Sequence, residues 1–306
     1  AMGFLMPFMY GALTAFKTKD QIITSARGSI LPMSPDTFTY NEQELDIYTV
    51  PFEDGTVREL AIVRKGRDDS TFIDPTNPDG GLIEWEGRWR TLEQSMTFDP
   101  HFENFPDAWN GINFPLLLRN TMGIAAIGTV GTLISSILVA YGFSRFPIPF
   151  KRTLFLLLVG TIILPRQVTL VPTYAFFSLI GWTGTWLPLT VPHFFANAYN
   201  VFLLRQYFMT LPRELDEAAI IDGAGPFRVL ISVIIPQSWA AIVTVALFHI
   251  VFAWNDYFEP LIYLLGKTEL QPISIGIQRF NYVYDMQPQL IQATALIGLA
   301  VPVILF

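Results

Sequence analysis

The feature that most constrains this chain is a set of long stretches that contain no charged side chain. Residues 120–144 and 229–253 are each 25 residues without Asp, Glu, Lys or Arg, and residues 153–204 contain a single charge, Arg166. About 20 helical residues cross the roughly 30 Å hydrocarbon core of a bilayer. The first two stretches are long enough to cross once and the third twice. The sequence therefore predicts a membrane protein with several spans rather than a soluble protein with buried helices.

Apolar runs at both ends of the sequence predict two more spans. Residues 1–16 are too short a run for a signal peptide and lack its basic leader, so we expect them and residues 286–306 to be spans that are trimmed or continue further. Only 15% of all residues are charged, against about a quarter in soluble domains. The predicted fold class is an all-α polytopic membrane protein of about six transmembrane helices, at residues 1–17, 116–143, 153–178, 186–208, 229–253 and 287–306.

Charge is distributed unevenly along the chain and predicts its orientation. Residues 17–113 have a net charge of −9, whereas the remainder has +2. The loop 144–152 carries three basic residues and no acidic one, and loops rich in Lys and Arg stay on the cytoplasmic side. Alternation then predicts that residues 17–115, 179–185 and 254–286 lie outside, and that residues 209–228 and both termini are cytoplasmic.

The acidic segment has the pattern of a small β-rich insert. Residues 45–50 and 58–63 alternate on either side of Asp54-Gly55, a dipeptide typical of hairpin turns. Residues 83–86 and 89–92 alternate as well. The sequence thus predicts three parts: a first span at 1–19, a β-rich extracytoplasmic insert at 20–113, and a transmembrane core of five helices at 114–306 whose cytoplasmic loop is 209–228.

Several classes of function are disfavoured by residues that the sequence lacks. It contains no cysteine and no Gly-x-x-x-x-Gly-Lys-Ser/Thr loop, so neither thiol-ligated metals nor ATP hydrolysis within this chain is expected. Its three histidines show no metal-ligand spacing, and no nucleic-acid partner is expected. An intramembrane enzyme would need a paired acid and base inside the spans. An ion-driven secondary transporter would need intramembrane carboxylates, which the four most apolar spans lack.

The loop between the fourth and fifth predicted spans contains a short helix-turn-helix. Acidic residues at 214, 216 and 217 suit the N-terminus of a helix, and Ala218 and Ala219 allow another backbone to approach closely. Gly223 suits the left-handed residue that ends a helix, and a second helix is predicted to begin near Pro226. We expect such a structure on the cytoplasmic surface to be a docking site.

This loop resembles the cytoplasmic signature of ABC importer permeases, which is Glu-Ala-Ala, three residues, Gly, nine residues and Ile-x-Leu-Pro. Residues 217–219, Gly223 and Pro236 fall at that spacing, with Val233 and Ile235 as conservative replacements. Four further stretches are similar to the carbohydrate-importer branch, and the likeness is closest to the maltose-type permease that carries the signature in its fourth inner loop. It covers residues 1–20 and 105–306, and the four stretches are Asn120-Thr121, 140–145, 164–172 and 252–261.

The resemblance implies a permease, not an enzyme, in a prokaryotic inner membrane. Its implied partners are the bilayer, a second permease, two ATPase subunits that bind ATP and Mg, and an extracytoplasmic sugar-binding protein; no cofactor is implied for this chain. Glu217 is expected to contact a basic group of an ATPase, or merely to favour the helix N-terminus. Gly223 would supply the turn, and Pro236 would restart the span. The implied coupling residues are Glu214, Glu217, Ala218, Ala219, Asp222, Gly223 and Pro236.

Polar residues inside the spans are candidates for the translocation path, because such residues tend to face the interior of a helix bundle or a watery cavity. Arg166 is expected in the outer half of its span, where Pro165 would loosen the helix. Packing or interhelical hydrogen bonding is an equally open role for each candidate, and a non-sugar solute such as a peptide, phosphate or amino acid is an alternative cargo. The candidates for the translocation path are Arg166, His193, Asn197, Asn200, Gln237, His249 and Gln292.

The insert at residues 20–113 either docks the binding protein or partner subunit, or is a lineage-specific decoration.

Overall fold

A computed structural model describes residues 2–24, 29–52, 55–281 and 286–305 of the chain. Its contacts divide the chain into two compact units. The first comprises residues 1–108 and 280–297, and the second comprises residues 109–279 and 298–306. The domain boundaries expected from the sequence, at residues 19/20 and 113/114, remain predictions.

The first unit contains α1 (Met2–Thr14), α2 (Lys19–Thr24) and a β-rich segment, and it also includes the start of the helix Asn104–Gly111 and most of the helix Pro288–Leu305. Five antiparallel strands pair in sequence order, from β2 to β6; β7 also pairs with β3, and β1 pairs with β8 in a separate ribbon. The strands are β1 (Met33–Pro35), β2 (Thr37–Tyr40), β3 (Gln43–Pro51), β4 (Val57–Arg64), β5 (Asp69–Ile73), β6 (Leu82–Glu86), β7 (Glu93–Gln94) and β8 (Met96–Phe98).

The predicted hairpin is confirmed, because β3 and β4 pair from Ile47 opposite Ala61 to Pro51 opposite Val57. Asp54 of its turn lies outside the described residues. Successive side chains alternate between the two faces of the sheet. As a result, Tyr48, Val50, Leu60, Ile62 and Phe72 form one buried cluster, and Leu45, Ala61 and Ile73 form another.

Residues 89–92 do not form the extended stretch that their alternation indicated. Trp89–Thr91 is instead a single 3₁₀ turn, and β7 begins at Glu93. The backbone nitrogen and the hydroxyl of Thr91 both donate to the Arg88 carbonyl, at 2.9 and 2.8 Å. Threonine competes in this way with strand pairing by bonding to the nearby backbone.

The second unit is helical, and one of its helices is long and apolar enough to cross a membrane by itself. This helix is α4 (Phe114–Arg145), with 32 residues. Two helix pairs reach that length only when each is taken as one bent span, so the described residues contain one span or up to three. The remaining helices are α3 (Asn104–Gly111), α5 (Lys151–Gly160), α6 (Arg166–Leu179), α7 (Leu187–Thr190), α8 (Ala198–Thr210), α9 (Glu214–Ile221), α10 (Pro226–Val229), α11 (Ile235–Gln237), α12 (Trp239–Asn255), α13 (Phe258–Tyr263), α14 (Ile273–Gly276) and α15 (Pro288–Leu305).

Three of the predicted spans are broken rather than continuous, and a proline lies at each break or within three residues before it. A proline lacks the backbone N–H that a helix interior needs and clashes with the preceding turn. The predicted helix 153–178 is interrupted at Pro165, whose ψ is 135°. The predicted helix 186–208 becomes α7, a 3₁₀ turn that contains Pro192, and α8. The predicted helix 229–253 is bent by 81° between Gln237 and Trp239, directly after Pro236.

Helix α4 lies at the centre of the second unit, where it packs against α8 and α12. The glycine at Gly131 of α4 allows the 3₁₀ turn Val191–Phe194 to approach closely, because a side chain there would meet the ring of Phe194. A buried cluster joins α4, α8, α10 and α12 near one end of the unit and contains Ala140, Tyr141, Val201, Leu204, Phe208, Val229, Leu230 and Val245.

Candidate coupling surface and solute cavity

The docking helix predicted in the loop is present as α9, and its end is closed by the glycine that the sequence indicated. Gly223 has a φ of +80°, in the left-handed region that favours glycine. Its N–H donates to the Ile220 carbonyl, and the Ala224 N–H donates to the Ala219 carbonyl, both at 2.9 Å. This pair of bonds defines a Schellman motif, which satisfies the last carbonyls of the helix. The second helix begins at Pro226, as predicted.

Helix α9 has two distinct faces. Asp216 and Ala219, three residues apart, are half-buried against the rest of the unit, and Ala219 packs on the buried cluster described above. The opposite face is exposed and includes most of the predicted coupling residues: Glu214, Glu217, Ala218, Asp222 and Gly223. Glu217 makes no ion pair with any residue that the structure describes. Its carboxylate is therefore available to a partner.

Large apolar side chains are exposed beside these acidic residues. Ile220 is 60% exposed, Ile221 85% and Phe227 71%. A groove of about 420 Å³ runs between this loop and the end of α4, and its lining includes Arg145, Arg213 and Glu217. Exposed apolar groups rimmed by charge are typical of a protein–protein contact surface.

An ion pair between Arg145 and Asp216 holds the inner face of α9. Nε of Arg145 and Oδ2 of Asp216 are 2.8 Å apart, with side chains 8% and 14% exposed. The contact is electrostatic rather than a well-aligned hydrogen bond. Arg145 also donates to the Leu211 carbonyl through Nη2, at 3.1 Å. The opposite charges of Arg145 and Asp216 were visible in the sequence, but their pairing over 71 positions was not.

The predicted coupling residue Pro236 lies apart from α9. It belongs to the short helix α11, three residues before α12 begins.

Four of the predicted path residues line one cavity in the second unit. His193, Asn197, Asn200 and His249 meet there, around a volume of about 580 Å³. The other lining residues, which sequence analysis missed, are Thr132, Tyr199, Phe248, Val251 and Phe252. No charged side chain lines this cavity within the described part of the chain. Polar amide, hydroxyl and imidazole groups between aromatic rings are typical of a site for a neutral, hydrogen-bonding molecule.

The imidazoles of His193 and His249 lie against each other in the wall of this cavity, with ring centroids 4.4 Å apart. Thr132 Oγ1 and His249 Nδ1 are 3.1 Å apart, and Ser135 donates to the His193 carbonyl at 3.0 Å. Both hydroxyls belong to α4. Asn197 caps α8 by accepting from the N–H groups of Tyr199 and Asn200, so part of its predicted role is structural.

Gln237 and Gln292 are not among the described residues that line this cavity. Arg166 is the first residue of α6, directly after the break at Pro165. Gln237 is exposed, and its carbonyl accepts from Tyr207. Gln292 belongs to the first unit, where its side chain lies against Gly11.

A separate titratable cluster lies in the first unit. His101 contacts Glu103 through Nδ1 and lies 3.2 Å from Asp99 through Nε2. The hydrogen bond to Glu103, together with both negative charges, raises the pKa of His101. A hydrogen bond from Ser34 lowers the pKa of Asp99. Asn104 fixes this segment to the end of α1 by donating to the carbonyls of Ala15 and Lys17.

A helical unit with an apolar span, a neutral cavity and an exposed docking helix is the arrangement of a membrane permease for solutes. Residues 122–306 match the family model described as binding-protein-dependent transport system inner membrane component. The chain belongs to this family. It is a permease subunit of an ABC importer and not itself an enzyme.

Two relatives show how far the similarity extends. The osmoprotective compounds uptake permease protein GgtD of Synechocystis is 29% identical over 239 residues, covering 77% of this chain and 79% of that protein. The sn-glycerol-3-phosphate transport system permease protein UgpE of Agrobacterium fabrum is 32% identical over 195 residues, covering 63% and 68%. The fold is similar to a chain of a bacterial ABC transporter that imports alginate, with a TM-score of 0.58 and 22% identity over 70% of this chain and 79% of that one.

Proposed function

We propose that this chain is one permease half of an ATP-driven importer for a neutral, polyhydroxylated solute of the sugar class. The observation that supports this cargo is the cavity around His193 and His249, whose lining combines aromatic rings with neutral hydrogen-bonding groups. A sugar presents hydroxyls at its edge and C–H groups on its faces, and these match such a lining. The related permeases are named for osmoprotective compounds and for sn-glycerol-3-phosphate. A phosphate-bearing cargo would favour a cation in the lining.

The energy for transport would come from two ATPase subunits that bind ATP and Mg, with a second permease completing the path. The exposed face of α9 supports this assignment. Glu217 has no ion-pair partner among the described residues, and the apolar side chains of Ile220 and Ile221 remain largely exposed. In this assembly Glu217 would meet a basic group of an ATPase, and Gly223 would fix the shape of the docking surface.

In the membrane the chain would cross six times with both termini in the cytoplasm of a prokaryote. The basic loop 144–152 supports this orientation. Helix α4 is one candidate crossing and the two bent helix pairs are two more. The shorter apolar helices at Leu5–Thr14 and Pro288–Ile304 would supply the fourth and fifth. The broken helix from α7 to α8 would supply the sixth.

The β-rich insert would lie outside and dock the binding protein. Four of the nine basic residues between positions 17 and 113 line one concavity of about 700 Å³: Lys65, Arg67, Arg88 and Arg90. Lys65 and Arg90 lie over the ring of Trp89, at 5.2 and 5.3 Å. Tryptophan and arginine are the residue types most often found at the energetic centre of an interface, and the cations would meet an acidic surface.

Reconstitution of the assembled transporter in proteoliposomes tests the proposal. Uptake of a neutral oligosaccharide should require ATP and the binding protein and should persist when ionophores collapse all ion gradients. A charged peptide and sn-glycerol-3-phosphate serve as competing cargoes. Uptake driven by an ion gradient without ATP would favour the secondary-transporter alternative, and preferred uptake of a charged cargo would overturn the assignment to sugars.

A further inference from the structure

The cytoplasmic end of α4 holds the coupling loop at both of its ends and at its helix. Arg145 pairs with Asp216 of α9 and donates to the Leu211 carbonyl before it. One turn earlier on α4, the Tyr141 hydroxyl donates to the Pro226 carbonyl after α9, at 3.1 Å. These three contacts, together with Ala219 and Ala224 on the buried cluster, fix α9 to α4.

The same helix forms part of the cavity wall. Thr132 lies 13 residues before Arg145, which is about 20 Å along a helix. There Thr132 contacts His249, and Ser135 contacts the backbone of His193. One uninterrupted helix of 32 residues therefore contacts the coupling loop at one point and both cavity histidines at another.

The alternative route from the loop to the cavity is mechanically weaker. It passes through α10, a π-turn at Leu230–Ile234, α11 and an 81° bend before it reaches His249 on α12. π-turns and kinks are positions where a helix changes shape most easily. A displacement applied at α9 would be absorbed there, whereas a straight helix transmits it.

We propose that Arg145 and Asp216 are positioning residues that lock the coupling helix onto α4, and that α4 carries the movement of the ATPase to the cavity as a rigid lever. This inference rests on the proposed ATP-driven function. It assigns the transmission to α4 rather than to α12, and it requires the α9–α4 contact to remain closed throughout the transport cycle.

The first test breaks and restores the ion pair in the complete transporter. Arg145→Gln and Asp216→Asn should each reduce the solute moved per ATP hydrolysed by about tenfold, within the range of typical coupling between sites, while ATPase activity persists. The exchanged pair Arg145→Asp with Asp216→Arg should recover most of this ratio. Arg205→Gln is the matched control, because Arg205 donates to the Phe143 carbonyl at the same end of α4 and lies over the ring of Phe155.

The second test holds the contact closed and does not depend on the stability of the single variants. The chain contains no cysteine, so Tyr141→Cys with Pro226→Cys, in a cysteine-free complex, can be joined by a short bis-methanethiosulfonate reagent. Transport should continue after cross-linking. Arrest of transport by the cross-link, or an unchanged solute-to-ATP ratio in Arg145→Gln, would contradict the proposed role of α4. In either case, ATP-dependent uptake by the unmodified protein would still support the proposed function.

Discussion

The hydroxyl of Thr132 lies 3.1 Å from Nδ1 of His249 and joins α4 to α12 in the wall of the cavity. Both side chains are buried, with exposures of 2% and 6%. A buried polar atom that loses its partner costs about 1–3 kcal/mol. This contact therefore fixes the orientation of the imidazole that the solute would meet.

Replacing Thr132 by valine should raise the KM for solute by about tenfold, which corresponds to about 1.4 kcal/mol, because the His249 ring loses its orientation. Uptake kinetics in proteoliposomes measure the effect. Thr244→Val is the matched control, since the Thr244 hydroxyl donates only to the Ala240 carbonyl of its own helix. Equal KM values for the two variants would contradict a role for this contact.

Gly128 is expected to tolerate no side chain. A Cβ at this position would lie 2.6 Å from His249 Nε2 and 3.2 Å from His193 Cδ2, so both rings would have to move. Gly128→Ala should reduce solute affinity strongly, as measured by transport competition. Gly160→Ala should have little effect, because no atom lies within 4 Å of a Cβ placed there.

At the end of α9, Gly223→Asp should uncouple ATP hydrolysis from transport while the complex still inserts. Apart from Gly223 itself and its two chain neighbours, no atom of the described residues lies within 4 Å of a Cβ placed there, so the strain comes from its φ of +80°. This conformation costs about 1–2 kcal/mol for other residues. The docking surface would change shape as the Schellman motif opens. The solute-to-ATP ratio measures the loss, and Gly225→Ala, where φ is −74°, should leave it intact.

The basic concavity of the insert gives a prediction for the binding protein. Arg90→Glu should raise the concentration of binding protein that half-maximally stimulates the ATPase, and the effect should weaken at high salt. Arg64→Glu is the control within the same insert, because Arg64 lies on β4 and is paired with Asp69. A shift of equal size in both variants would indicate a general charge effect rather than a docking surface.

The His101 cluster predicts that the segment at residues 99–104 is most stable at mildly acidic pH. A raised folded-state pKa means that the stability contributed by His101 is complete below its unfolded pKa of about 6.5 and is lost as pH rises through the folded value. The lowered pKa of Asp99 has the opposite effect on stability. The stability that Asp99 contributes is complete above its unfolded pKa of about 4 and is lost as pH falls below that value.

Hydrogen exchange of the amides in this segment, corrected for intrinsic rates, should be faster at about pH 8.5 than at about pH 5.5. His101→Gln should remove most of the difference. If His101→Gln keeps the full difference in exchange rate between the two pH values, titratable groups other than His101 cause it.

The coupling loop could be predicted closely from the sequence because its structure is local. The acidic first turn, the alanines and Gly223 act within a dozen residues, and each corresponds to a defined helix position. The β3–β4 hairpin was predictable for the same reason. The ion pair of Arg145 with Asp216 was not, because nothing in either local pattern specifies a contact between helices.

The cavity could be predicted only in part. Burial of polar groups in apolar spans identified His193, Asn197, Asn200 and His249, but the same rule also selected Gln237 and Gln292, which lie elsewhere. The breaks at Pro165, Phe195–Asn197 and Ser238 change the direction of the chain, so spacing along an assumed straight helix no longer indicates which side chains meet. The aromatic lining residues carried no signal, since phenylalanine is common on every surface of a membrane helix.

The closure of α9 by its own backbone bonds also has an evolutionary consequence. The inner face, with Asp216 and Ala219, maintains the attachment to the permease. The side chains of Glu214, Glu217 and Ala218 on the outer face take no part in the bonds that close the helix, so they can vary without disturbing its end. A permease built in this way can acquire a new motor by substitutions on one side of eight residues, and its selectivity for cargo would be inherited unchanged.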